Sequence, residues 1–287
     1  MQKKLLITVS DNTSYLHGAR FVGSFFRNKL QVSATLFYVA PHAGTAGRAR
    51  GSAHIKLGND AAGRKRAEEA LHAARKMLCD RGFSDDNVTT KLVYREFGTV
   101  KDILREAKKG AYDAVVLGRR GYMLFESVFS TSVTKEILDR DIELPIWICR
   151  HPEESRRNVL LCVDGSTSSL RMVDHVGFML QDEGDHSITL FHVDTGEEEN
   201  TEAILAEARK TLMDNWLSGG RIESVVAASP VTGVGNAILE MAQKKAYAAV
   251  GVGRVGIQKG RFKEWLVGSR TMKLLETLDK AALWVSG

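Results

Sequence analysis

Short apolar runs rich in β-branched residues alternate with longer stretches of helical periodicity throughout this 287-residue chain. Residues 5–9 (L-L-I-T-V) are the first run and close on S-D-N-T-S, the chemistry of a strand followed by helix-capping side chains. A helix to about residue 30 should follow, then a strand over 34–39, a loop over 41–59 rich in Gly, Ala, His and Arg that reads as mobile, and a long amphipathic helix over 60–81. The pattern goes on with a strand at 88–94, a helix at 100–109, a strand at 114–117, a helix at 132–140 and a fifth strand at 146–149. Such alternation predicts an α/β fold, a mainly parallel sheet with helices on both faces.

A polar linker, H-P-E-E-S-R-R at 151–157, then opens a second pass of the same pattern. At an offset of 154, Leu16 falls opposite Leu170, Gly23 opposite Gly177, and L-F-Y-V (36–39) opposite L-F-H-V (190–193). At an offset of 135, residues 102–121 lie over 237–256 with 11 of 20 positions identical, and at 137 Trp147 meets Trp284. The chain is therefore a tandem duplication, with a first module over 1–150 and a second over 158–287. The final strands, 146–149 and 283–286, are where the two modules are expected to meet, and Trp147 and Trp284 are read as core or interface side chains.

Composition changes this picture little: 44% hydrophobic and 26% charged residues are ordinary for two globular modules. Charge is divided unevenly. Residues 1–150 carry 25 basic and 16 acidic side chains, net +9, and residues 151–287 carry 15 and 19, net −4. An acidic partner for the first half and a merely solvated surface are both compatible with that division. Cys79, Cys149 and Cys162 form no C-x-x-C pair, so neither a disulfide framework nor a metal site is expected. The N-terminus turns polar too soon for a signal peptide and no run nears the roughly 18 apolar residues of a membrane span, which predicts a cytoplasmic protein with neither a membrane nor a nucleic-acid partner.

Candidate chemistry concentrates in 250–271, V-G-V-G-R-V-G-I-Q-K-G-R-F-K-E-W-L-V-G-S-R-T, where a strand ends in Gly253 and Gly256 and a loop leads to Gly268-Ser269 at a helix start. Backbone N–H groups bared at such a place converge on an anion. Gly251, Gly253 and Gly256 also spell G-x-G-x-x-G, but the motif follows a fourth strand and no helix starts at its third glycine, which argues against a dinucleotide site. No Walker G-x4-G-K-[ST] and no G-x-S-x-G elbow occurs, and no catalytic residue is assigned. Arg119 and Arg254 recur beside the glycines, and phosphate contact and solvent exposure are both open for them. His192 ends a strand and reads as a packed or partly exposed neutral side chain.

Taken together, V-D-G-S (163–166) after a first strand, H-V (192–193) ending a second, and G-x2-G followed by G-S before the last helix resemble the universal stress protein family, as a tandem pair. The resemblance implies two open five-stranded sheets of order 3-2-1-4-5, packed as a covalent version of the family's dimer, with further homodimerisation open. It implies that Asp164 contacts a nucleoside, that Val193 offers backbone groups to adenine, and that Gly253, Gly256, Gly268, Ser269 and Thr271 hold the phosphates of ATP, ADP or AMP, with Mg2+ bound through those phosphates. The second copy spaces Gly256 and Gly268 two residues wider than the family pattern. The first copy departs further: opposite Asp164 it has Ser10, with Asp11 one place late, and opposite Gly268 it has Thr131, so it is expected to bind weakly or not at all. Implied overall is a nucleotide-gated stress-response module with an unidentified protein partner. A slow ATPase or self-phosphorylating enzyme and a scaffold without nucleotide stand as alternatives.

Overall fold

The apolar runs become strands that are buried on both faces: Leu5, Leu6 and Ile7 in the first module and Val159, Leu160 and Leu161 in the second are all 0% exposed. A computed structural model of the protein describes residues 1–11, 16–41, 58–118, 133–138, 144–196, 200–228, 231, 233–254 and 269–287. The first half folds as β1 (Lys3–Thr8), α1 (His17–Phe25), β2 (Val32–Ala40), α2 (Gly58–Asp80), β3 (Val88–Tyr94), α3 (Thr99–Gly110), β4 (Ala114–Gly118), α4 (Val133–Leu138) and β5 (Ile146–Cys149). The second repeats it as β6 (Val159–Cys162), α5 (Thr167–Leu180), β7 (Ile188–Asp194), α6 (Thr201–Asp214), β8 (Ile222–Ala228), α7 (Val234–Lys244), β9 (Ala249–Gly253), α8 (Ser269–Thr277) and β10 (Ala282–Ser286). Residues 42–57 of the expected loop lie outside the described residues, and Gly58 and Asn59 already belong to α2.

Both modules have the strand order 3-2-1-4-5, and the pairs within each are parallel. The repeat holds to the residue, since Val159 pairs with Ile188 as Leu5, 154 positions earlier, pairs with Ala34. Antiparallel pairing of β5 with β10 joins the modules into one ten-stranded sheet, so the final strands do meet. Its centre is aromatic. Trp284 lies opposite Trp147 in the register, their rings stack at 3.9 Å and 3°, and both are 0% exposed. Helices α1 and α5 cover the seam, placing Phe21, Phe25 and His175 edge-on against this pair.

Two helix and linker details depend on contacts between modules. The helical pattern runs to about residue 30, but α1 stops at Phe25: Phe26 is extended, and the N–H groups of Arg27 and Asn28 donate to the buried carboxylate of Glu183 at 2.9 and 3.1 Å. A carboxylate from the other module supplies what a further helical turn would have. The linker is likewise fixed in place, as Arg81 donates to both oxygens of Glu154 and the Glu153 N–H to the Lys280 carbonyl.

Burying histidines at this seam gives the protein an acid-sensitive joint. Trp147 Nε1–H donates to His175 Nε2 at 3.0 Å, and enclosure in apolar surroundings lowers the His175 pKa to about 3. Burial likewise takes His186, whose Nε2–H donates to the Phe25 carbonyl, to about 4. A folded-state pKa below the unfolded value of about 6.5 means that the unfolded chain binds the proton first, so stability is complete above pH 6.5 and falls as pH drops towards 4 and 3. Each histidine contributes about 1.4 kcal/mol per pH unit inside that window. Urea melts at pH 7 and pH 5 should show the loss, and His175→Phe should flatten the slope. Glu183 works in the opposite sense, because burial pushes its carboxyl up, so the difference between the two slopes isolates His175. Equal slopes for parent and variant would contradict this assignment.

Candidate functional site

The candidate site of the second module stands where β6 and β9 run side by side in the same direction and the chain leaves them towards opposite sides of the strand order, the switch point of an open α/β sheet. Beyond β6, Val163 N–H donates to the Phe191 carbonyl, and His192 Nδ1–H donates to the Val163 carbonyl at 2.9 Å. His192 is thus a buried clamp on the strand exit, 1% exposed. Gly165 makes the turn with φ +74°, where a Cβ would also meet the Ile204 side chain at 3.1 Å. Ser166 then caps α5, its Oγ accepting from the Ser169 N–H at 3.2 Å.

Asp164 supports that turn without being the cap. Its Oδ1 accepts from the N–H and the hydroxyl of Ser166 at 3.1 and 2.6 Å, whereas Oδ2 has no partner among the described residues. The carboxylate is half-buried, oriented by one oxygen and open at the other. Val193 lies one residue from the end of β7, 9% exposed and paired in register with Ala227.

Gly253, the last residue of β9, comes against the first turn of α5. A Cβ there would lie 2.4 Å from the Ser169 nitrogen and 2.6 Å from the Ser168 carbonyl carbon, distances no real side chain adopts. The glycine is therefore required for strand and helix to close together, a reason distinct from the approach to a ligand that the sequence suggests. Thr271, in the first turn of α8, is 3% exposed, and Ser269 begins that helix. The structure thus brings Asp164 and Gly253 to the same helix start. Gly256, Gly268 and Arg119 lie outside the described residues.

Arg254 is not the solvent-exposed side chain that its sequence position allowed. It is 8% exposed and donates to the carbonyl of Leu138, at the end of α4 in the other module, at 2.9 Å. Arg150 does the reciprocal service, donating to the Glu276 carbonyl in α8 at 2.8 Å. Tyr38 was not singled out by the sequence. At the offset of 154 it stands where the second copy has His192, and its hydroxyl donates to Asp11 Oδ1. That alignment was the available signal: a phenol in place of a strand-clamping histidine engages the first copy's carboxylate.

Burial pushes the Cys149 and Cys162 thiols up, and no group of three or more His, Cys, Asp or Glu side chains among the described residues could hold a metal ion. Among those residues no helix is long and apolar enough to cross a membrane.

Residues 155–285 match the model of the universal stress protein family. The second half of the chain belongs to that family. The first half shares the universal stress protein fold, and the likeness to solved structures extends across both modules. A universal stress protein from Archaeoglobus fulgidus is 17% identical over 99% of this chain and 97% of its own, with a TM-score of 0.69. A protein of unknown function from Pseudomonas aeruginosa is 14% identical over 99% and 92%, with a TM-score of 0.57. At these identities the likeness is one of fold. A search of the curated proteins gives no match to this sequence.

Proposed function

We propose that the second universal stress protein module binds ATP or a related adenine nucleotide, and that the protein is a nucleotide-responsive stress-response module of the cytoplasm. The observation that carries this reading is the juxtaposition at the switch point: an oriented Asp164 carboxylate with an open oxygen beside the glycine end of β9 and the first turn of α5. Charged acceptors placed this way suit the hydroxyls of a ribose, and the strand and helix ends present N–H groups to phosphates. Asp164 would hold the nucleoside, backbone groups at Val193 the adenine edge, and Gly253, Gly256, Gly268, Ser269 and Thr271 the phosphates. Mg2+ would enter with those phosphates.

In the first module the corresponding carboxylate, Asp11, stands one place later and is engaged by Tyr38, which supports a site that binds weakly or not at all. Among the described residues of the second site none is placed as a general base, and slow turnover of ATP at most is in keeping with that. A second reading has its own support: because Gly253 is demanded by packing on Ser168 and Ser169, the glycine alone does not require a ligand. Mass spectrometry of small molecules released from the denatured, freshly purified protein separates the two. The expected result is an adenine nucleotide at up to one per chain; none released, together with no heat on titrating ATP, leaves the packing scaffold.

A further inference from the structure

Among the described residues, every ion pair joining residues 1–150 to residues 151–287 has its cation in the first half and its anion in the second. Lys3 meets Asp182 at 2.7 Å, Arg27 meets Asp185 at 3.6 Å, and Arg81 and Arg20 meet Glu154 at 2.9 and 3.8 Å. Two of the pairs reach the loop after α5, one of them from the equivalent loop after α1, and the other two meet on Glu154 of the linker. The loop after α1, R-N-K-L-Q at 27–31, lies at the offset of 154 over Q-D-E-G-D at 181–185 after α5. The first carries two cations and no acid, the second three acids and no cation. They face each other across the seam, with Glu183 buried at 1% on the N–H groups of Arg27 and Asn28, and Lys3 buried at 1% on Asp182.

We propose that this division of charge is a pairing code that joins unlike copies, first module to second, and rejects like ones. In a union of two first modules, Lys29 would stand where Glu183 accepts two N–H groups, and Asn28 where Asp182 neutralises the buried Lys3. In a union of two second modules, six carboxylates would converge on one seam. Repulsive elements of this kind give specificity beyond what attraction supplies. The chain's own second half then serves as an acidic partner for the basic first half, and the β5 and β10 edges, paired with each other, are closed to other chains.

Two variants of the full chain test the code. Asp182→Asn, Glu183→Lys and Asp185→Gln together give the second loop the first loop's residues at its three acidic positions. The expected result is a melting temperature lower by roughly 10 °C. Adding Arg27→Gln, Asn28→Asp, Lys29→Glu, Gln31→Asp and Gln181→Arg exchanges the polar residues of the two loops, with Leu30 and Gly184 kept, and sets acids on the first module opposite Arg157, which occupies the position of Lys3 in the repeat. The exchange should recover at least half of the lost melting temperature. A purely local role for Glu183 would not be restored by an acid placed in the other loop. The code is overturned if the first variant melts with the parent, or if the exchanged chain melts no higher than the first variant. Should the first variant fail to fold, folding of the exchanged chain upholds the code and its failure to fold overturns it.

Discussion

Truncation of Trp284 to alanine should cost the protein about 3–5 kcal/mol, the range for deleting a large aromatic side chain from a packed core. The ring is fully buried, stacked at 3.9 Å on Trp147 where the two modules join, with Phe21 and Phe25 against its edges at 6.2 and 5.5 Å. Trp147→Ala should cost about 1 kcal/mol more, because it also removes the donor to His175 and leaves a buried acceptor unpaired, whereas Trp284 Nε1 has no partner to lose among the described residues. Denaturant melts of the two variants check both the size and the order. A loss below 1 kcal/mol in either would mean that the seam is not part of the shared core.

Asp182→Ala should lower stability by about 2–3 kcal/mol, near the lower end for a broken buried pair. Lys3 is 1% exposed, and without Asp182 its ammonium keeps the Phe178 ring, 5.8 Å away, and the longer-range attraction of Glu183 and Asp113. Asp182 itself is 34% exposed, so water entering at its place moderates the loss. Removing both charges should be far milder. Lys3→Met with Asp182→Ala is expected to recover most of the stability, since an apolar side chain of similar length needs no counter-ion. Thermal melts of the single and double variants test this. A double variant no better than Asp182→Ala alone would place the effect elsewhere in the loop.

Much of the architecture was legible because it is written in local periodicity and then written again. The runs at 88–94 and 146–149 become strands with those very ends, and the offsets of 154, 135 and 137 carry one module's register onto the other. Contacts between unlike copies have no such repeat to reveal them. The early end of α1 depends on Glu183, and the burial of Arg254 depends on Leu138, each more than a hundred positions away in sequence. For the candidate site, the type and order of residues pointed to Asp164 and Gly253, but not to the physical reason for the glycine, which lies in how closely β9 approaches α5. The engagement of Asp11 by Tyr38 was only partly signalled: the repeat sets the tyrosine opposite His192 but does not say what its hydroxyl will reach.

Calorimetric titration of ATP into the intact protein and into Asp164→Ala and Asp11→Ala is the most direct test of the central claim. One site per chain is predicted, weakened about tenfold or more by Asp164→Ala and changed little by Asp11→Ala. Two equal sites, or equal losses from the two substitutions, would contradict the assignment of nucleotide binding to the second module.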